Sequence, residues 1–402
     1  MHAVDLFKYF CATLIYIIWV FYYILRCQFK FLGQPLISLF TPDMPSAQEL
    51  LPYLDLIDRD KWYSNYGPRL REFEGKIADF YNLPDCNVTT TSSATTGLMA
   101  ALRETVSLIS SAQGGRFKCL LPAWTFVASA QAVVEAGGEV LFCDVDPTSG
   151  ALTPSIVAEY LRATGNQRPD LIMPVAPFGA TICVPDWDAF SIEFDIPIVI
   201  DAAASFYSLI PGISPAVVSL HATKAFGIGE GGVVVTQNKD FVSKIRQRCG
   251  FGFLNGRTAL SVGGNYKVSE YHAAVGLAQF DRIDLLRTRY LKVKQQYLSI
   301  LRGCEKIFFF PGEELNVSST INVIILSGEA EYIVSRLRAL GVGASIWWED
   351  RLHCNALFNP NLARNLFPVS DYFYDKVVAL PFHSQMSEDE MMKVIKGIRS
   401  VL

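Results

Sequence analysis

The chain has 402 residues, half of them hydrophobic, with a formal net charge of −4. That length and composition bury a large core, organised as one big domain with a smaller companion, and the mild acidity without a long basic run gives no electrostatic footprint for nucleic acid. The nine cysteines lie far apart with no C-x-x-C pair, which excludes a zinc knuckle or a secreted disulfide framework and fits reduced thiols in a cytoplasmic protein.

In chain order, the first feature is the uncharged run Tyr9 to Leu25, flanked by Lys8, Arg26 and Lys30. At about 17 residues it is at the short end of a membrane-spanning helix. No small-residue cleavage site follows it, which argues against a secretory signal. It is either an N-terminal anchor with the body on the cytoplasmic side or sequence translated ahead of the true start. From Ala47 to Tyr81 the pattern is helical, interrupted by the loop Trp62 to Pro68. Short apolar runs then alternate with helix-period segments. The predicted strands are Cys119 to Pro122, Glu139 to Val145, Leu171 to Val175, Pro197 to Asp201, Val217 to Leu220 and Gly232 to Thr236. Helices are predicted over Thr95 to Ser107, Val127 to Glu135 and Pro154 to Leu161, followed by a long helical pattern from Val268 to about Leu301 and a last helix from Ser387 to about Val401. Continuous apolar strands with helices between them indicate an α/β fold whose sheet is mostly parallel and covered on both faces. The chain divides into an apolar extension (1–35), a large domain (36–285) and a smaller C-terminal α+β domain (286–402).

The chemistry centres on Lys224, which follows an apolar strand in Ser219-Leu220-His221-Ala222-Thr223-Lys224 and precedes a glycine-rich stretch from Gly227 to Gly232. An isolated lysine at a sheet edge is ordinarily solvated. Three further segments remove the isolation. Asp201 ends the strand Pro197 to Ile200, where it would pair with a pyridinium nitrogen and make the ring an electron sink, or else bond into its own turn. The cluster Thr91 to Gly97 precedes a helix and would cradle a phosphate on hydroxyls and backbone N–H groups, or act as a plain N-cap. Pro122 to Phe126 follows another strand and offers an aromatic face for stacking, or simply joins the core. The five histidines are scattered and read as ordinary imidazoles rather than metal ligands.

These segments, in this order from about Leu51 to Ser387, resemble the DegT/StrS family of sugar aminotransferases, pyridoxal-phosphate (PLP) enzymes of the fold type I, aspartate-aminotransferase architecture. The resemblance implies that Lys224 forms the Schiff base with PLP, Asp201 binds the pyridine nitrogen and Phe126 stacks on the ring. It also implies that Ser93, Thr95 and Ser219 hold the phosphate with the backbone of Ala94. The stretch Gly263 to Glu270 looks like the family's Gly-x-Asn-x-Arg/Lys-Met-Ser-Glu segment, whose asparagine, here Asn265, reaches the neighbouring subunit's phosphate. A homodimer with shared active sites is implied by that likeness, as are glutamate as amino donor and a keto-sugar nucleotide as acceptor, in amino-sugar or surface polysaccharide biosynthesis. Three residues depart from the family pattern: Val268 stands where methionine is usual, Ala94 where a glycine is usual, and Ala204 where glutamine or histidine meets the ring oxygen. One alternative is a PLP sugar dehydratase, a branch that resembles this chain less because it carries histidine in place of the lysine. The other is a non-catalytic, membrane-anchored regulator on the same fold.

Overall fold

The computed structural model describes residues 37–109, 116–164, 168–253, 256–358 and 366–402. The Tyr9 to Leu25 run lies outside them, and no helix among the described residues is long and apolar enough to cross a membrane.

The large sheet grows from two pieces. Strand Val88–Thr91 pairs antiparallel with Gly232–Val235, which pairs antiparallel with Ala216–Ser219, which runs parallel to Ile200–Asp201. Strand Lys118–Pro122 lies between Glu139–Cys143 and Leu171–Ile172, parallel to both. Parallel bridges Ile172 to Ile198 and Val175 to Asp201 join the two pieces into one layer. Within this layer Gly232–Val235 is the strand that runs against its neighbours. Successive residues of its valine run face opposite sides, Val233 and Val235 into one buried cluster and Val234 into another. Both faces are therefore covered, as the continuous apolar runs require.

The second sheet, in order Ile307–Phe309, Ile321–Ile325, Val377–Leu380 and Ser345–Ile346, is antiparallel throughout. It has a separate core, in which Ile321, Val323 and Leu380 meet Tyr297, Leu301, Leu337 and Ile395. Where the two sheets approach, Trp124 packs against Phe310 and Phe373, and its indole N–H donates to the Trp347 carbonyl at 3.0 Å.

Local signals explain the helix starts. Ser46 and Ser387 each form a capping box with Glu49 and Glu390, and Pro68 opens its helix at the first position. The helical pattern predicted from Val268 to Leu301 is two helices, Glu270–Phe280 and Ile283–Leu301, broken at Asp281 and Arg282. Neither glycine nor proline marks the break. Tertiary bonds hold it: the Gln279 amide donates to the carbonyls of Asp43 and Gly227 at 2.9 Å, and the Arg282 guanidinium donates to the Met44 carbonyl at 3.0 Å and to the Asp43 carboxylate. Several predicted strands are also shorter than their apolar runs: Pro197 to Ile198 contributes only an isolated bridge, and Glu139 to Val145 pairs as far as Cys143.

Candidate active site

Four strands of the large sheet, mutually parallel in direction, end at one edge, and the loops after them converge on a cavity of about 480 Å³. This is where ligand chemistry gathers in such sheets. The loop after Val88–Thr91 brings Ser93, Ala94 and Thr95 to the wall, the loop after Lys118–Pro122 brings Phe126, and Asp201 and Ser219 end their own strands. Lys224 lines the same cavity. Seven of the eight residues proposed from sequence are thus brought together.

Asp201 is buried at 4% exposure, and its carboxylate accepts from the Ser129 hydroxyl at 2.6 Å and from the Ala203 N–H at 3.0 Å. Burial pushes its pKa above the ordinary carboxylate range, while Ser129, Ala203 and the Lys224 charge pull the other way. Lys224 is half-buried. Burial pushes its ammonium below the usual 10.5, opposed by Asp201. Weakened protonation is what a nucleophilic amine needs, because the neutral form carries the reactive lone pair.

The helix Ala94–Ser107 points its N-terminus at this cavity. Ser93 caps it, the hydroxyl accepting from the Thr96 N–H at 3.1 Å, and the Thr96 hydroxyl in turn accepts from the Ser93 N–H at 3.0 Å. The cap partner is therefore Thr96, leaving Thr95 on the cavity wall. No carbonyl or side chain among the described residues takes the N–H groups of Ala94 and Thr95. Unclaimed N–H groups at a positive helix end form a site for an anion. Alanine at position 94 carries no backbone strain, because it takes helical geometry rather than a positive φ. The close backbone approach is supplied from the other side by Gly232, where a Cβ would fall 2.5 Å from the Ala94 nitrogen.

Phe126 is 52% exposed and borders the cavity, whereas Trp124 of the same segment is core. Ser219 is buried and accepts from the His221 N–H at 3.2 Å. Asn265 is not part of this cavity: it is exposed, accepts from the Lys267 ammonium at 2.6 Å and bridges to Gly250. Glu270, at the end of the same segment, is 1% exposed and accepts from the N–H groups of Arg69 at 2.8 Å and Leu70 at 3.1 Å. It caps the helix Pro68–Phe80 from a distance in sequence, a structural role.

Several wall residues were not foreseen. Ser129 lies in the first turn after Phe126, where its spacing from the stacking residue was a usable signal. Phe40, Phe178, Trp347 and Trp348 form an aromatic side, with Phe178 and Trp348 stacked at 5.1 Å. Ser318, Ser319 and Thr320 reach the cavity from the second sheet. Their sequence carries no motif.

A family model for DegT/DnrJ/EryC1/StrS aminotransferases matches residues 46–399. Among similar proteins, Rv3402c of Mycobacterium tuberculosis is 28% identical over 383 residues, covering 91% of this chain and 90% of that protein. The dTDP-4-amino-4,6-dideoxy-D-glucose transaminase of Shigella dysenteriae is 25% identical over 386 residues, covering 90% of this chain and 97% of the relative. In three dimensions the chain is similar to Helicobacter pylori PseC, an aminotransferase involved in the biosynthesis of pseudoaminic acid, with a TM-score of 0.78 at 19% identity over 91% of this chain and 99% of that one. The fold is that of the fold type I aminotransferases, and the chain belongs to the DegT/DnrJ/EryC1/StrS aminotransferase family.

Proposed function

We propose that this aminotransferase uses PLP to move an amino group from glutamate to a keto-sugar nucleotide, in amino-sugar or surface polysaccharide biosynthesis, as a homodimer with shared active sites. The observation that supports this most is the half-buried Lys224 sharing one cavity with the buried carboxylate of Asp201 and the open N-terminus of helix Ala94–Ser107.

The donor set fits the cofactor. The unclaimed N–H groups of Ala94 and Thr95, with the hydroxyls of Ser93, Thr95 and Ser219, suit a phosphate. Phe126 offers a ring face and Asp201 an acceptor for a pyridine N–H. PLP supplies an electron sink for the carbon bearing the amino group. Asp201 holds the proton at the pyridine nitrogen, and Ser129 fixes the orientation of that carboxylate through its hydrogen bond. The Lys224 amine, its protonation weakened by burial, would take the proton from the substrate carbon and deliver it to the cofactor's C4′ on the same face. The methyl of Ala204 on the cavity wall offers no hydrogen bond to a ring oxygen.

Asn265, exposed and outside the lining of its own cavity, is assigned to the partner subunit's phosphate. The large unit runs to about residue 285 and the small one from 286, and the 1–35 extension makes whatever membrane contact the protein has. The Shigella relative named above acts on a dTDP-linked amino sugar, which favours a nucleotide-linked acceptor. The test is a screen of 3- and 4-keto-sugar nucleotides with glutamate and PLP, read by mass spectrometry of the sugar product. An amino-sugar nucleotide formed with 2-oxoglutarate supports the reading. Glutamate consumption with no aminated sugar from any acceptor refutes the acceptor class, and water loss from the sugar would favour the dehydratase.

A further inference from the structure

Helix Ile283–Leu301 carries Lys294, a lysine with 0% exposure. A fully buried ammonium is costly unless each of its three protons finds an acceptor. Here each does: Nζ donates to Glu313 Oε1 at 2.9 Å, to the Asn316 carbonyl at 2.8 Å and to the Ser318 hydroxyl at 2.7 Å. Glu313 is itself 3% exposed, and burial raises its pKa while Lys294 opposes the rise.

The bonds converge on one short loop, 313–320, and that loop forms the cavity wall contributed by the second sheet. Ser318 passes the constraint on, donating to the Thr320 carbonyl at 2.9 Å, and the Thr320 hydroxyl accepts from the Asn322 amide at 3.1 Å. Ser318 and Thr320 are therefore buried and occupied, at 3% and 5% exposure. Ser319 between them is half-exposed to the cavity, and no hydrogen bond among the described residues claims its hydroxyl. The loop also abuts the large sheet's turn at Gly179, where a Cβ would meet Ser318 Cβ at 3.3 Å and the Val317 carbonyl at 3.4 Å. Phe178 of that turn lines the cavity as well.

We infer that the Lys294–Glu313 pair is a strut that positions loop 316–320 so that the Ser319 hydroxyl meets the acceptor substrate, making Lys294 a positioning residue for acceptor binding. The geometry separates this role from the chemistry. Among the described residues no hydrogen bond joins the strut to Lys224 or Asp201, so it acts on where the acceptor sits rather than on proton transfer. Such an effect falls on KM and leaves kcat. The inference rests on the aminotransferase reading above.

The experiment pairs Lys294→Met/Glu313→Leu with Ser319→Ala. The double variant removes both buried charges, because removing one would strand the other and threaten the fold. Expected for the double variant are a KM for the keto-sugar nucleotide raised about tenfold, kcat within about twofold, unchanged cofactor absorption, and amide exchange in 316–320 at least about tenfold faster. Ser319→Ala should raise the same KM about threefold with exchange unchanged. An unchanged KM in either variant overturns the inference, as does a loss confined to kcat. Should the double variant fail to fold, Ser319→Ala decides on its own. A wild-type protein that aminates no keto-sugar nucleotide refutes the functional reading instead, and unchanged exchange in 316–320 of a folded double variant refutes the strut whatever the substrate.

Discussion

Replacing Gly232 by alanine perturbs the anion cradle without touching any group that does chemistry. Gly232 opens the strand Gly232–Val235 and pairs with Thr91 on one side and Ser219 on the other. A Cβ there would lie 2.5 Å from the Ala94 nitrogen and 2.6 Å from the Ser93 carbonyl carbon and oxygen. Ordinary contact begins near 3.4 Å, so a shift of roughly 0.9 Å is needed, and all the clashing atoms are backbone. The strand is paired along its length on both sides, whereas the start of helix Ala94–Ser107 is an element end, held by the Ser93 cap, the Thr91 hydroxyl on the Ser93 carbonyl at 2.8 Å and the Ser92 N–H on the Tyr266 carbonyl at 2.6 Å. The helix start must yield. Overpacking of this kind costs about 1–3 kcal/mol, and a misplacement of about 1 Å at a binding site costs about 100-fold. We expect Gly232→Ala to lower the urea midpoint modestly and to raise the Kd for PLP by one to two orders of magnitude, about 10-fold to 100-fold. Titration of apoprotein with PLP, followed by visible absorption, measures the second effect. A variant that binds PLP as the wild type does would show that residues 93–95 do not hold the phosphate.

Ser129→Ala removes the hydroxyl that fixes the Asp201 carboxylate; loss of a bond to a buried charged group is worth about 1–3 kcal/mol, so kcat should fall about tenfold or more while the fold persists, measured by single-turnover kinetics. The lowered Lys224 pKa makes a second prediction, about apoprotein stability. The unfolded chain binds the Lys224 proton more tightly than the folded one, so the penalty is complete below the folded value and disappears as pH rises towards 10.5. Urea unfolding of wild type and Lys224→Met across that range should therefore show the wild type gaining stability relative to the variant as pH rises; a pH-independent difference would contradict the burial argument. A chain starting at Gln34 should bind PLP as the full chain does, because the family match begins at residue 46 and the cavity residues begin at Phe40. Failure of that shortened protein to fold would show that the extension packs on the body.

Much of the site was readable because its geometry is carried by local signals. Apolar runs such as Val217 to Leu220 must be strands buried on both faces, and the residues just beyond their ends must meet at one edge. That logic brought Asp201 and Lys224 together at one edge from the chain alone, while the role of Ser219 came with the family resemblance. It could not separate the roles of Thr95 and Thr96, since both lie just beyond Ser93 and only helix phase decides which reaches back to cap. Nor could it find the break at Asp281 and Arg282, which no residue propensity marks and which bonds to Asp43, Met44 and Gly227 maintain. The packing at Ala94 was hidden for a related reason: the close approach there depends on Gly232, distant in sequence. The Lys294 strut was equally invisible, because a lysine in a helical pattern reads as solvated until tertiary structure closes over it.

Assignment of the cofactor to Lys224 is the point on which the mechanism turns. Borohydride reduction of the PLP-loaded protein, with proteolysis and mass spectrometry afterwards, fixes the cofactor to whichever amine holds it. A single modified peptide is expected, the one containing Lys224, and none in Lys224→Ala; modification at another lysine, or at none, would contradict the assignment.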